Sequence, residues 1–377
     1  MSENSKKLQA LIAELNKRRD AYTPGGVTAI GELYKSVSRK QRRPQIFNDS
    51  SFLFIRTYDG DLGNRPLPSM NFWNTPDISF TPITGTTPIV TNQLQAGATY
   101  RVRCKLYNRG DVTVPYPKVE FYLTDPSLGF DTRFATAIGV TQMDGLLLAN
   151  GIGEADFIYR VPPEEAGHKC FFARTFSFSP LDKPHDIFAL DPVTDRHTGQ
   201  KNLNIVGQAA NYNFNLVHMP NTDEVIQFLP VAMKDIIGLG EQALGKFTFK
   251  EDASAALFTR GEIKVLTEKR ELTMKRGRVG FAVISKGEGP DIHEQAKITR
   301  AYTNAIAEIG AGKARPSKFK ELFAQKRKMS AFMQQTKLSI QVPQFGLKPG
   351  EAIAVNIVNT NTSTGIVKGG ITVIVTG

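Results

Sequence analysis

The chain has 377 residues, 41% hydrophobic and 22% charged, with 21 prolines and 32 glycines. This is the composition of a folded protein with real cores, and it excludes collagen-like and broadly disordered classes. The net charge of +11 admits nucleic acid, anionic lipid or acidic proteins as partners, while two cysteines are too few for a disulfide scaffold or a cysteine-based zinc site.

The first residues, "MSENSKKLQALIAELNKRRDAY", predict an amphipathic helix over 4–20. Leu8, Leu11, Ile12 and Leu15 follow the i, i+3, i+4, i+7 pattern, with Lys6, Lys7, Lys17 and Arg18 mainly elsewhere. Glu14, Asn16 and Lys17 interrupt the place where a secretory leader would carry its apolar run. No stretch reaches the length of an apolar membrane span. The expected location is therefore cytoplasmic or particle-associated. "KSVSRKQRRPQ" (35–45) carries Lys35, Arg39, Lys40, Arg42 and Arg43 without an acid. It reads either as a solvated linker or as an arm that docks on a neighbour or a polyanion.

From about residue 51, apolar alternation, aromatics, prolines and glycines recur at short intervals, the pattern of an all-β region. In "ATYRVRCKLYN", Tyr100, Val102, Cys104 and Leu106 point one way, and Arg101, Arg103 and Lys105 the other. "KVEFYLTD" (118–125), "EADFIYRV" (154–161), "HKCFFART" (168–175) and "KNLNIVG" (201–207) complete a set of strands at sandwich-like spacing. A second β region begins at 211. It continues through "EIKVLTEKRELTMK" (262–275) and "RVGFAVISK" (278–286), and returns at 337–345, 351–360 and 369–377.

Between these strands, 290–312 and 316–335 read as helices, opened by Pro290 and Asp291 and by Pro316. The span 313–337 holds eight Lys or Arg residues against one acid, Glu321. An aromatic and Met stripe, including Phe319, Phe323 and Phe332, runs through it beside Lys326, Arg327 and Lys328. Such a stripe either buries itself on its own domain or forms a docking surface for another protomer, an acidic partner or a membrane face.

"NFWNTPDISF", "YRVRCKLYNRGDVTVPYPKVEFYLTDPSLGF" and "IYRVPPEEAGHKCFFAR", followed by a loop and "QKNLNIV", resemble the bacterial Ig-like domains grouped as CARDB, the cell-adhesion-related domain. The similarity covers 71–207, about a third of the chain. It implies a seven-stranded sandwich used as a structural or adhesive module. It also places Cys104 on the second strand and Cys170 on the penultimate one, the pair bridged in antibody-type sandwiches. Two buried core thiols in or near contact, or a bridge between them, both fit this placement.

No catalytic constellation accompanies this architecture. The five histidines fall in no metal-ligand spacing, and neither a nucleophile elbow nor a Walker A loop occurs. "LDKPHDIFALDPVTDRHTG" (181–199) is richest in Asp and His. It reads as turn formers joining strands, with a cation site as the sharper alternative. His168 reads as a hydrogen-bonded structural residue, and Trp73 as a core or interface plug.

The sequence thus predicts a mainly β protein with a basic helical arm over 1–50. An Ig-like sandwich over 51–207 precedes a second over 208–377, with a helical hairpin inserted at about 290–335. It predicts a non-enzymatic structural or scaffold subunit of a bacterial or phage-like assembly, without cofactor, metal or small-molecule substrate. Its expected partners are copies of itself or other protein subunits. The alternative is a module that binds nucleic acid or an anionic membrane. The candidate contacts are Leu8, Leu11, Ile12, Leu15, Arg39, Arg42, Arg43, Phe319, Phe323, Lys326, Arg327, Lys328 and Phe332.

Overall fold

The computed structural model describes residues 50–377 apart from 69–70, 90, 178, 180–181, 232–246, 251–255, 268–271 and 279, together with residues 6, 7, 9, 10 and 13. It is mainly β. Two sheets face each other in the first half. One joins β1 (Leu53–Phe54), β2 (Ile78–Pro82), β3 (Thr99–Asn108) and β7 (Ile152–Arg160), with β3 central. The other runs in the order β9 (Thr198–Lys201), β8 (Cys170–Phe176), β4 (Lys118–Thr124), β6 (Thr136–Gln142). Strand alternation fills the space between them: Val102, Cys104 and Leu106 of β3 share one core with Val119, Phe121 and Leu123 of β4 and with Phe171 and Ala173 of β8. Phe80 stacks on Phe171 at 3.9 Å.

The second sheet is buried on its other face as well. Every residue of β8 is buried. Tyr122, Cys170 and Phe172 form a separate apolar cluster with Phe130 and Leu190. Arg174 and Glu120 form an ion pair at 2.7 Å with neither side chain exposed, and Arg174 also donates to Ile187 O at 2.8 Å. The loop over 182–197 covers this face.

This corrects the expectation for the cysteines. Both are free and buried, but Cys104 faces the inter-sheet core and Cys170 points out of it on the opposite face of β8. Cys170 and Phe171 are adjacent on one strand, so their side chains must point to opposite faces. Burial raises both thiol pKa values well above the ordinary value, so neither is a nucleophile.

The second half is built on two further sheets. The larger runs β10 (Leu203–Gly207), β18 (Val367–Thr376), β17 (Glu351–Asn361), β12 (Thr222–Pro230), β15 (Gly280–Ser285), β14 (Leu272–Arg276). The smaller runs β13 (Ile263–Val265), β16 (Gln334–Gln341), β11 (Asn211–His218), β5 (Ser127–Leu128). Their inner faces enclose Phe214, Leu216, Leu338, Ile357 and Val373 among others.

Two pairings cross between the halves. "KNLNIVG", expected to complete the first set of strands, divides at Asn202: β9 stays with β8, while β10 runs parallel to β18. Residues Ser127–Leu128, downstream of β4, pair in parallel with β11. Trp73 is a plug at this junction, 2% exposed. Its indole donates to Thr372 Oγ1 at 3.0 Å.

The helices are α1 (Ile292–Gly310) and α2 (Lys320–Ser330), the latter preceded by a 3-10 turn at Pro316–Phe319. Asp291 caps α1 by accepting from the backbone of His293 and Glu294 at 2.8 and 2.9 Å. The second helix is shorter than expected: it stops at Ser330 and the chain enters β16 at Gln334. Phe332 and Met333 therefore sit in a turn.

Candidate interaction surface

The basic and aromatic residues of α2 are largely folded inward. Phe323 packs on His185 of the covering loop at 4.7 Å and on Tyr302 of α1 at 5.5 Å. Phe319 lies 6.2 Å from Phe323, and Lys326 Nζ lies 5.8 Å from the Tyr302 ring. Burial lowers the Lys326 pKa, opposed by Asp186 and Asp191. Arg327 reaches His185 O at 3.5 Å. Lys328 is exposed, and Phe332 is 44% exposed.

The end of α2 is pinned to the first half. Arg133 donates to Ser330 O at 2.5 Å and to Ala331 O at 3.0 Å, while Asp131 holds the same guanidinium at 2.6 Å. The helix thus ends on a cation that satisfies two of its last carbonyls. A cleft of about 120 Å³ lies between the covering loop, both helices and the β17–β18 turn. It is smaller than the roughly 150 Å³ that admits benzene.

The Asp- and His-rich loop is a hydrogen-bonded scaffold. His197 lies between two carboxylates, Nδ1 2.7 Å from Asp195 and Nε2 3.0 Å from Asp182. Asp182 also accepts from Arg196 at 2.6 Å and from Leu53 N at 2.8 Å. Burial raises the Asp182 pKa, but Arg196 and His197 outweigh it and hold the carboxyl well below its ordinary value. Asp186 accepts from the backbone of Phe188 and from the Ser330 hydroxyl, and Asp191 from Val193 N and the Thr194 hydroxyl. Among the described residues no group of three or more His, Cys, Asp or Glu side chains is arranged to hold a metal ion.

Leu8, Leu11, Ile12, Leu15, Arg39, Arg42 and Arg43 lie outside the described residues. Of the expected N-terminal helix, the described Lys6, Lys7, Gln9, Ala10 and Ala13 are helical, and Gln9 Nε2 donates to Ala135 O at 3.1 Å.

A different surface stands open. Val114 and Pro115 pair with Leu147 and Leu146, and Tyr116 N bonds to Gly145 O. The next turn, closed by Gly151 N to Leu148 O, leads into β7. Leu148, Ile152 and Ile158 are 60%, 66% and 56% exposed, and Tyr116 and Leu146 also stand out. Ile152 and Ile158 lie in phase with Glu154 and Asp156 on the outer side of β7. Beside them β3 presents Arg101, 3.5 Å from Asp156, and Arg103, 3.3 Å from Glu154. This ledge was readable in part: "GLLLANGI" sets three leucines in a row beside turn residues, of which Leu146 and Leu148 stand out while Leu147 is buried, and Ile158 falls out of the inward phase of its strand.

No family model matches the chain, and no curated protein matches it. Among solved structures it is similar to a Mobiluncus mulieris adhesin containing intramolecular disulfide, isopeptide and ester cross-links. That alignment has 10% identity and a TM-score of 0.19, and covers 57% of this chain and 93% of that one. It is also similar to the CupB6 tip adhesin of Pseudomonas aeruginosa (9% identity, TM-score 0.18, 80% and 96% covered). A third is the CFA/I adhesin CfaE of enterotoxigenic E. coli (8%, 0.19, 87% and 93%). Similarity at these scores carries no inference about this chain.

Proposed function

We propose that this chain is a non-enzymatic structural subunit that associates with copies of itself in a bacterial or phage-like assembly. In this reading it comprises two Ig-like sandwiches behind a helical arm, and the CARDB resemblance of residues 71–207 is in keeping with a structural or adhesive module. The observation that carries the proposal is the β3–β7 ledge. Exposed apolar side chains concentrated in one region mark association surfaces. Here they flank two adjacent rows of opposite sign, Arg101 and Arg103 on β3 and Glu154 and Asp156 on β7. A two-fold axis through such a face sets each copy's cations against the other's acids, the self-complementarity that an isologous interface requires.

Light scattering on the full chain at low and high salt tests this. The expected result is a fixed oligomer at both. Substituting Leu148, Ile152 and Ile158 together by Ser should weaken self-association by about tenfold or more without loss of folding. A monomeric wild type, or a triple variant of unchanged mass, refutes it.

A second reading rests on the outer side of the hairpin, where Lys313, Arg315, Lys318, Lys320 and Lys328 are all exposed. Among the described residues, Lys318 alone of these has an ion pair, with Glu308 at 3.4 Å. A polyanion bound there would dissociate steeply as salt rises. Retention of single-stranded nucleic acid or anionic vesicles that is indifferent to salt excludes it.

A further inference from the structure

Glu224, Asn359 and Lys368 meet across three neighbouring strands of the larger sheet, on β12, β17 and β18 in turn. Glu224 and Asn359 point into the core, in phase with Ile226 and Ile357, and both are buried. By alternation Lys368 belongs on the other face. Ile371 and Val373 point into the core, so a regular strand would turn Lys368 toward the side that carries Trp73. The ladder slips at this point: Asn359 pairs with Gly369 and Thr360 with Val367, which leaves Lys368 as an extra residue. A bulge of this kind re-aims a side chain, and Lys368 reaches Glu224 with its own side chain mostly buried.

One carboxylate thus holds an amine and a carboxamide together. Glu224 Oε1 accepts from Lys368 Nζ, and Oε2 accepts from Asn359 Nδ2 at 2.7 Å. The Asn359 side-chain oxygen is buried with no hydrogen-bond partner among the described residues. An ion pair in such a place is costly to desolvate. Passing one proton from Lys368 to Glu224 removes both charges and leaves a free amine beside an amide carbon. Asn359 is sealed from solvent, so the nucleophile at hand is the amine and not water.

We propose that Lys368 and Asn359 join in an isopeptide bond, made by the folded chain on itself with Glu224 as the catalytic residue. The bond Nζ–Cγ forms and Cγ–Nδ2 breaks, with no oxidant or reductant. Of the two protons that the Lys368 ammonium gives up, one leaves on Nδ2 as ammonia and the other stays on Glu224. The cleft between the two helices and the β17–β18 turn reaches Lys368 and gives the ammonia a way out. The product ties β17 to β18 where their ladder is irregular. This cross-link does not rest on self-association, and the mass of the denatured chain reads it whatever the oligomeric state.

The test is mass spectrometry of the full chain and of its tryptic peptides. The wild-type chain should be lighter than its sequence by one ammonia. Trypsin should fail after Lys368 and release residues 338–377 as one peptide carrying that loss. Fragment ions from cleavage between Asn359 and Lys368 should be missing, because the link keeps the two pieces joined. Lys368→Arg retains a cation for Glu224 but should stand at full mass. Glu224→Gln cannot take up the proton and should slow the reaction by about a hundredfold or more, leaving freshly purified protein unlinked. A wild-type chain at full mass overturns the proposal. So does an ammonia loss that persists in Lys368→Arg, which would mark a cyclised asparagine instead, or a Glu224→Gln chain linked as completely as wild type. If Glu224→Gln does not fold, the wild-type fragment pattern and Lys368→Arg decide between these outcomes.

Discussion

Gly370 has no room for a methyl group. A Cβ built there would meet the Trp73 indole at 2.3 Å, deep in the junction between the halves. Trp73 cannot retreat without giving up its bond to Thr372. Gly370→Ala should therefore destabilise the protein by about 1–3 kcal/mol, the usual range for overpacking, and chemical denaturation will measure it. His185 supplies a pH dependence. Burial pushes its pKa down from 6.5 to about 4, opposed by Asp195. The unfolded chain then binds more protons between those values, so stability is fully present above pH 6.5 and falls as the solution is acidified toward 4. Replacing His185 by Phe should flatten this part of the stability–pH curve by on the order of 1 kcal/mol. An unchanged slope in thermal melts between those values would count against that assignment.

At the level of elements, α2 depends on a residue far from it in sequence. Arg133 satisfies the carbonyls of Ser330 and Ala331, so Arg133→Ala should loosen the end of the hairpin alone. Hydrogen exchange should rise across 326–333 and stay unchanged in β17 and β18. The hairpin also shows how far the sequence could be read. Its helices were legible because Asp291, Pro316 and the apolar spacing act locally. Its docking partner was not, because nothing local to Phe323 encodes His185. The same limit governs β10, whose period-2 pattern announced a strand but carried no information about which edge it joins. In "CFFARTF" the departure from alternation was itself a signal that β8 is covered on both faces. Of the ledge, the three leucines were visible as a run, but which of them are exposed (Leu146 and Leu148) and which is buried (Leu147) depends on packing the run does not specify.

The whole molecule should melt as one body. Strands from each half pair with the other, the Trp73 plug spans the junction, and the buried Arg174–Glu120 pair lies beneath a covering loop that α2 in turn overlies. Separating the halves would expose that face and strand unsatisfied amides. Calorimetry should accordingly show one transition with equal calorimetric and van't Hoff enthalpies; two resolved endotherms would contradict this.

The parallel pairing of β10 with β18 also imposes an order on synthesis. Asn202 finds one of its two acceptors at Gly370, 168 positions later, so the ribosome must make almost the entire second half before this contact can close. Until then the nascent first half carries an open β edge at β10. Closing so distant a contact is slow, and an open edge is an invitation to other chains. The chain is thus most exposed to mispairing while still being translated, and least so once β18 docks as the last piece of a structure begun at β1.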